Sequence, residues 1–182
     1  LANYAERVEP LYAAHWLWPR GLEHGEKLGL AIKIVDEYGC DPSSVSRAEL
    51  EKAKSDAKAA DSDATSLITN NHNSFICSTV AEAVTRLLEF ALDPQKCNGL
   101  SCAFLCQSAV DLVCKDTDTV VRTLTYDLDA LKAEAISEKW NDESPARLSL
   151  RPIWRFEKPK DWPSEGIAFA ATVGTKLLKG GF

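Results

Sequence analysis

Apolar residues recur at helical spacing along most of the first 140 positions, and most densely over residues 75–92 and 100–114. In the first stretch they occupy one helix face: Ile76, Val80, Ala83, Val84, Leu87, Leu88 and Ala91. The opposite face carries Glu82, Arg86 and Glu89, spaced so that the arginine can pair with either acid. The pattern predicts an amphipathic helix with one buried face.

The second stretch, residues 100–114, has apolar side chains on nearly every side of the predicted helix. A helix that is apolar all round is normally buried in a core. This one is too short, and too interrupted by Gln107 and Asp111, to span a membrane. The sequence therefore predicts that it is the most buried helix, and that Leu105→Ala costs about 2–5 kcal/mol.

Weaker apolar stripes predict four more helices, over residues 3–18, 22–38, from 46 onward and about 126–140. Gly39 is expected to end the second, and a capping box of Ser46 and Glu49 to begin the third. Residues 61–73 are predicted to be a polar loop. In the last helix the residues expected to face inward are Leu128, Leu131, Ala135 and Ile136. The fold class predicted is mainly α, a bundle of about six helices.

The pattern changes after Ser144, where four prolines and a run with a period of two appear. Apolar residues alternate with polar and basic ones from Arg147 to Phe156, which predicts an extended segment or a β-hairpin. Pro152 would confine such a strand to a sheet edge. The chain is thus divided into a helical bundle domain, residues 1–144, and a Pro-rich basic C-terminal arm, residues 145–182, packed on the bundle or on a partner.

The charge of the chain is distributed unevenly between these two parts. The net charge is −6, of which the arm carries +4 and the bundle −10. An acidic body repels phosphates, so nucleic-acid binding is not expected, whereas a basic protein partner is compatible. No stretch resembles a signal peptide or a membrane span, which predicts a cytoplasmic protein that does not bind membranes. In that compartment the six cysteines are expected to be reduced.

Motifs that would indicate catalysis or a metal are not found. Four cysteines lie close together, but their spacing fits no common zinc or iron–sulfur pattern: Cys97, Cys102, Cys106 and Cys114. We expect those on helices to be core residues, while Cys97 in a loop leaves a redox or oligomer contact open. Pairs such as Asp61 and Asp63 lie near helix ends, where capping is favoured over a divalent-ion site. No metal and no cofactor are predicted.

Aromatic and titratable residues gather around the end of the first helix. Two interpretations stay open: an amphipathic anchor, or an aromatic-lined pocket that binds a small ligand or substrate. The candidate ligand-binding residues are His15, Trp16, Trp18, Arg20, Glu23 and His24. His72, in an asparagine-rich segment, is a minor candidate.

Large aromatic residues next to basic ones make the arm a candidate interface, since these residue types often anchor protein contacts. The candidate interface residues are Arg151, Trp154, Arg155, Phe156 and Trp162. The first functional hypothesis is therefore a non-enzymatic protein that binds another protein or itself, with a homodimer as one form. The alternative is an enzyme or small-ligand-binding protein with its pocket near residues 16–24.

One further pattern suggests a family. A helix with Glu49-Leu-Glu-Lys52, an acidic run around Asp61-Ser-Asp63 and a helix starting Ile76-Cys-Ser-Thr-Val-Ala81 follow one another in that order. This order, continued through Cys114, resembles a bacterial all-helical family, domain of unknown function 416. At Cys77 the chain departs from an acidic residue of that family. The resemblance implies a helical fold and no established chemistry. Small Ala-rich helical proteins that neutralise bacterial toxins have a similar general sequence character. Toxin neutralisation or regulation is therefore a further expected function.

Overall fold

A computed structural model of the protein describes residues 1–16, 18–67 and 72–113, together with six single positions between 129 and 139. These residues form five α-helices: α1 (Ala2–His15), α2 (Gly21–Cys40), α3 (Arg47–Ser66), α4 (His72–Leu92) and α5 (Gly99–Val113). No strand occurs within these ranges. The mainly α class predicted from the sequence is confirmed.

The start of α3 is the predicted capping box. The Ser46 hydroxyl accepts a hydrogen bond from the backbone N–H of Glu49 at 3.2 Å, and the Glu49 carboxylate accepts one from the backbone N–H of Ser46 at 2.8 Å. Each partner satisfies an N–H group that the first turn of a helix leaves free.

Two helix ends differ from the prediction. Helix α3 continues to Ser66 and α4 begins at His72, so the predicted loop over residues 61–73 is wrong for its first six and its last two residues. Polar composition misled the prediction there, because Asp61 and Asp63 bond to the neighbouring helices α4 and α2. Helix α2 likewise runs through Gly39 to Cys40. Gly39 has no positive backbone φ, so it does not form the left-handed stop expected of it.

Helix α4 is the centre of the bundle. It packs against all four other helices, most extensively against α3 and then α5. Eleven of its residues are buried, against four of α5. The prediction that α5 is the most buried helix is therefore wrong. Helix α5 lies at the edge, against α4 and α1, and its uniform apolar surface leaves one side uncovered by the described residues.

The solvent side of α4 agrees with the sequence. Arg86 pairs with both predicted acids, at 3.1 Å from Glu82 and 2.9 Å from Glu89. Lys58 of α3 adds a third ion pair, 3.1 Å from Glu89. Exposed pairs of this kind contribute little individually, about 0–1 kcal/mol. They mark the face of α4 that points away from the core.

Consecutive helices run antiparallel, so the bundle has two distinct ends. At one end, the Cys77 thiol near the start of α4 donates to the Tyr12 carbonyl near the end of α1, at 3.6 Å. His72 at the start of α4 also bonds the carbonyl of Leu112 near the end of α5, at 3.2 Å. At the other end, Gly99 at the start of α5 lies beside Phe90. We call the first of these the His24 end, because His24 at the start of α2 lies there.

The remaining predictions lie mostly outside the described residues. Outside the described ranges lie Leu17, residues 68–71, Cys114, most of the predicted sixth helix and the whole arm. Five single positions of the sixth helix are helical: Asp129, Lys132, Ala133, Ile136 and Ser137. Ile136 is 79% exposed, so the expectation that it faces inward is wrong; single exposed apolar residues are common on helix surfaces. Among the helices described, none is long and apolar enough to cross a membrane.

Candidate functional site

A buried histidine paired with an acid is the main polar feature of the His24 end. The His24 side chain is fully buried, and its Nε2 lies 2.8 Å from Oδ2 of Asp63, 39 positions later in the sequence. The same oxygen lies 3.2 Å from the guanidinium of Arg20. Asp63 is 35% exposed and Arg20 58% exposed. One carboxylate oxygen therefore connects a buried ring to a surface cation.

The hydrogen bonds define the protonation of this pair. The bond from His24 is the main cause that lowers the pKa of Asp63, and the Arg20 charge acts in the same direction. The carboxylate is thus ionised at neutral pH and can only accept, so His24 carries a proton on Nε2. In the neutral ring Nδ1 is then an acceptor. It is buried and has no hydrogen-bond partner in the part of the chain that the structure describes.

Three aromatic side chains lie at the same end of the bundle as the histidine. The rings of Tyr12 and Trp18 meet edge to face, with centroids 6.1 Å apart. Trp16 covers Gly21, where a Cβ atom would lie only 2.5 Å from the indole. The Tyr12 hydroxyl and the two indole N–H groups are also buried without partners among the described residues. Burial raises the pKa of Tyr12, which stays a donor.

Five polar groups at one end of the bundle are thus buried without partners among the described residues, which is unusual: the Tyr12 and Ser74 hydroxyls, the indole N–H groups of Trp16 and Trp18, and Nδ1 of His24. Buried polar groups normally find a protein, water or ligand partner, because each unmet group costs about 1–3 kcal/mol. The His24 end therefore offers hydrogen-bonding capacity that the described residues leave unused.

The six candidate ligand-binding residues divide into three groups. Arg20 and His24 meet through Asp63, and Trp16 and Trp18 border the same end of the bundle. The other two bond along the chain close to their own positions, and Glu23 also lies 3.9 Å from the guanidinium of Arg20. His15 donates from Nδ1 to the Leu11 carbonyl at 2.8 Å, and Glu23 accepts from Lys27 at 2.6 Å. Their role in ligand binding stays a prediction.

Asp63 belongs to this cluster, although the sequence did not predict that. The sequence pattern predicts that Asp63, like Asp61, caps a helix end. On a helix, residues two positions apart face different directions. Asp61 accepts instead from the Ser78 hydroxyl of α4 at 2.6 Å. No local signal connects Asp63 to His24, because the pairing depends on how α2 packs against α3.

His24 and Asp63 are the kinds of side chain that transfer protons in enzymes, but within the described ranges no open path leads from solvent to the histidine ring. A carboxylate that holds the tautomer of an imidazole is the arrangement found in catalytic triads. Here the ring is completely buried. A small molecule reaches Nδ1 only after neighbouring side chains move.

The outer face of α5 is a second candidate surface. Leu100 and Phe104 lie one turn apart and are each 72% exposed. Further along the helix, Gln107 donates to Asp111 at 2.9 Å. Large exposed apolar side chains on adjacent turns are typical of interaction surfaces.

The cysteines provide no comparable site. Cys77, Cys102 and Cys106 are buried free thiols. Burial raises the pKa of Cys77 and makes it unreactive. Within the described ranges, no three His, Cys, Asp or Glu side chains gather in a way that could hold a metal ion.

Comparison of the chain with protein-family models, with curated proteins and with solved structures finds no match. The resemblance to domain of unknown function 416 stays a prediction.

Proposed function

We propose that this is a cytoplasmic binding protein that associates with a second copy of itself through the outer face of α5. The observation that supports the proposal is the pair Leu100 and Phe104, each 72% exposed on adjacent turns. Leaving such side chains in water forgoes about 1.5–3 kcal/mol for each that could be fully buried. A contact that covers them recovers part of this free energy.

The chain itself contains a segment with the matching chemistry. Residues 145–182 combine aromatic residues with a charge of +4, while the rest of the chain carries −10. We propose that this arm, after a sixth helix over residues 126–140, docks on α5 of the second copy. Exchange of arms in a symmetric dimer would cover both faces and bring opposite charges together.

Sedimentation of the full chain with Leu100→Ser and Phe104→Ser combined tests this proposal. Both side chains are largely exposed, so the helix should tolerate serine. We expect the unchanged chain to be a dimer. In the double variant the dissociation constant of the dimer should be at least about tenfold higher, a loss of about 1.4 kcal/mol in association free energy. Leu30→Ser is the matched control, because Leu30 is 58% exposed on α2, and it should leave the dimer intact.

Two outcomes would contradict dimerisation through α5. A monomeric unchanged chain would show that any cover of this face comes from the same chain. A dimer that the double variant leaves unchanged would place the interface elsewhere.

A small ligand at the His24 end is a second candidate, favoured by the buried and unpartnered Nδ1 of His24 beside unused Tyr12 and indole donors. Such a ligand would accept from these donors and donate to Nδ1. We expect denaturation of the purified full chain to release a stoichiometric small molecule, detected by mass spectrometry. Asp63→Asn should reduce it, whereas Glu51→Gln, which changes a partly exposed acid of the same helix paired with Lys54, should not. Absence of any released compound would contradict this candidate.

A further inference from the structure

The last six residues of α3, residues 61–66, are attached to two neighbouring helices by polar contacts. Asp63 bonds His24 of α2 at 2.8 Å and lies 3.2 Å from the guanidinium of Arg20, just before that helix. Asp61 accepts from the hydroxyl of Ser78 on α4 at 2.6 Å. We call residues 61–66 the latch, because these contacts hold the end of α3 against the His24 end of the bundle.

The latch has little tendency of its own to form a helix. Five of its six residues are Asp, Ser or Thr, which are weak helix formers. Its two carboxylates lie near the negative end of the helix dipole, and no basic residue occupies the last turn of α3. Ala64 is the one buried residue of the latch, so little apolar surface is exposed when it opens. Segments with few buried apolar contacts are those that unfold locally.

We propose that the latch is a lid over His24, which unwinds from the end of α3 while the rest of the bundle stays folded. The His24 side chain has no exposed surface, whereas Asp63 is 35% exposed, so the carboxylate lies on the solvent side of the ring. Opening withdraws this carboxylate and admits water to the ring. The use of the lid rests on the second candidate function, since it gives a small ligand a route to Nδ1, but the opening itself requires no ligand.

Native-state hydrogen exchange of the full chain, followed by NMR, tests whether the latch opens by itself. We expect the backbone amides at positions 62–67 to be protected at least about tenfold less than those at positions 53–57, in the middle of the same helix. The amides at positions 80–88 of α4 provide the reference for unfolding of the whole bundle.

Two alanine variants within the latch have opposite expected effects. Ser62→Ala changes an exposed residue to a better helix former and should slow latch exchange by about twofold. Asp63→Ala brings the same gain in helix propensity but removes the bonds to α2, and leaves Nε2 of the buried His24 without its acceptor. We expect it to speed latch exchange by about tenfold.

The reactivity of His24 shows whether the latch covers the ring. Carbethoxylation by diethyl pyrocarbonate, located by peptide mass spectrometry, should be slow in the unchanged chain and rise with latch exchange in Asp63→Ala. Ser78→Ala loosens the latch from α4 but keeps the carboxylate on the ring, and should raise both rates by about threefold. Asp56→Asn is the matched control. It removes an ion pair between α3 and Lys27 of α2 outside the latch, and should change neither rate.

Three results would overturn the lid. Latch amides that exchange only at the rate of the α4 reference would show that no separate opening occurs. Slower latch exchange in Asp63→Ala would show that helix propensity, rather than the bonds to α2, holds the segment. Faster latch exchange in Ser78→Ala without faster modification of His24 would show that the latch does not cover the ring. Failure to release a small molecule contradicts only the second candidate function, so the two proposals fail separately.

Discussion

Leu88→Ala is expected to lower the free energy of unfolding by about 2–5 kcal/mol, the range for a leucine truncated in a tight core. Leu88 has no exposed surface and lies on α4, which packs against every other helix. Removing its side chain therefore loses contacts and leaves a cavity that few neighbours can fill. Urea unfolding followed by circular dichroism measures the loss.

Leu105→Ala is the comparison that makes this result informative. Leu105 lies on α5 and is only partly buried. The cost predicted from the sequence, about 2–5 kcal/mol, is therefore too high, and we expect less than about 2 kcal/mol. If Leu105→Ala were as costly as Leu88→Ala, α5 would have to be far better covered than the described residues show.

Gly21→Ala and Gly25→Ala are expected to change stability in opposite directions, although both lie near the start of α2. A Cβ at Gly21 would stand 2.5 Å from the Trp16 ring and meet the base of the ring, which cannot swing aside. The overpacking costs about 1–3 kcal/mol and exceeds the gain in helix propensity. At Gly25 the nearest atom is 3.6 Å away in the Tyr12 ring, an ordinary contact. Gly25→Ala should therefore stabilise the fold, by up to about 1 kcal/mol.

Thermal unfolding of the two variants beside the unchanged chain checks this pair. A Gly21→Ala protein as stable as the parent would show that Trp16 does not lie over Gly21. It would also remove Trp16 from the wall of the His24 end.

The sequence predicted the helices well because their signals are local. The capping box at Ser46 and the apolar face of α4 depend on residues within a few turns of one another. Burial is a different property. An apolar surface on α5 shows that the helix can be buried, but the packing of the other helices decides which side is covered, and Leu100 and Phe104 remain outside.

The candidate site shows the same difference between local sequence signals and contacts that depend on packing. Aromatic and titratable residues close in sequence located the region around His24. Asp63 could not be predicted, because it reaches His24 from another helix and its own neighbourhood is that of an ordinary polar helix end. The sequence also did not predict a groove at the opposite end of the bundle. Parts of α1, α2 and α4 form this groove, and these three helices share no sequence signal.

The central position of α4 has a consequence for synthesis on the ribosome. Helix α1 packs more extensively against α4 than against any other helix, yet the contact between Tyr12 and Cys77 joins residues 65 positions apart. At about 5–20 residues per second, the ribosome needs roughly 3–13 s to make the intervening chain. During that interval the apolar face of α1, with Leu11 and Tyr12, lacks its main cover. The nascent chain is then most open to chaperones and to aggregation, before the bundle closes around α4.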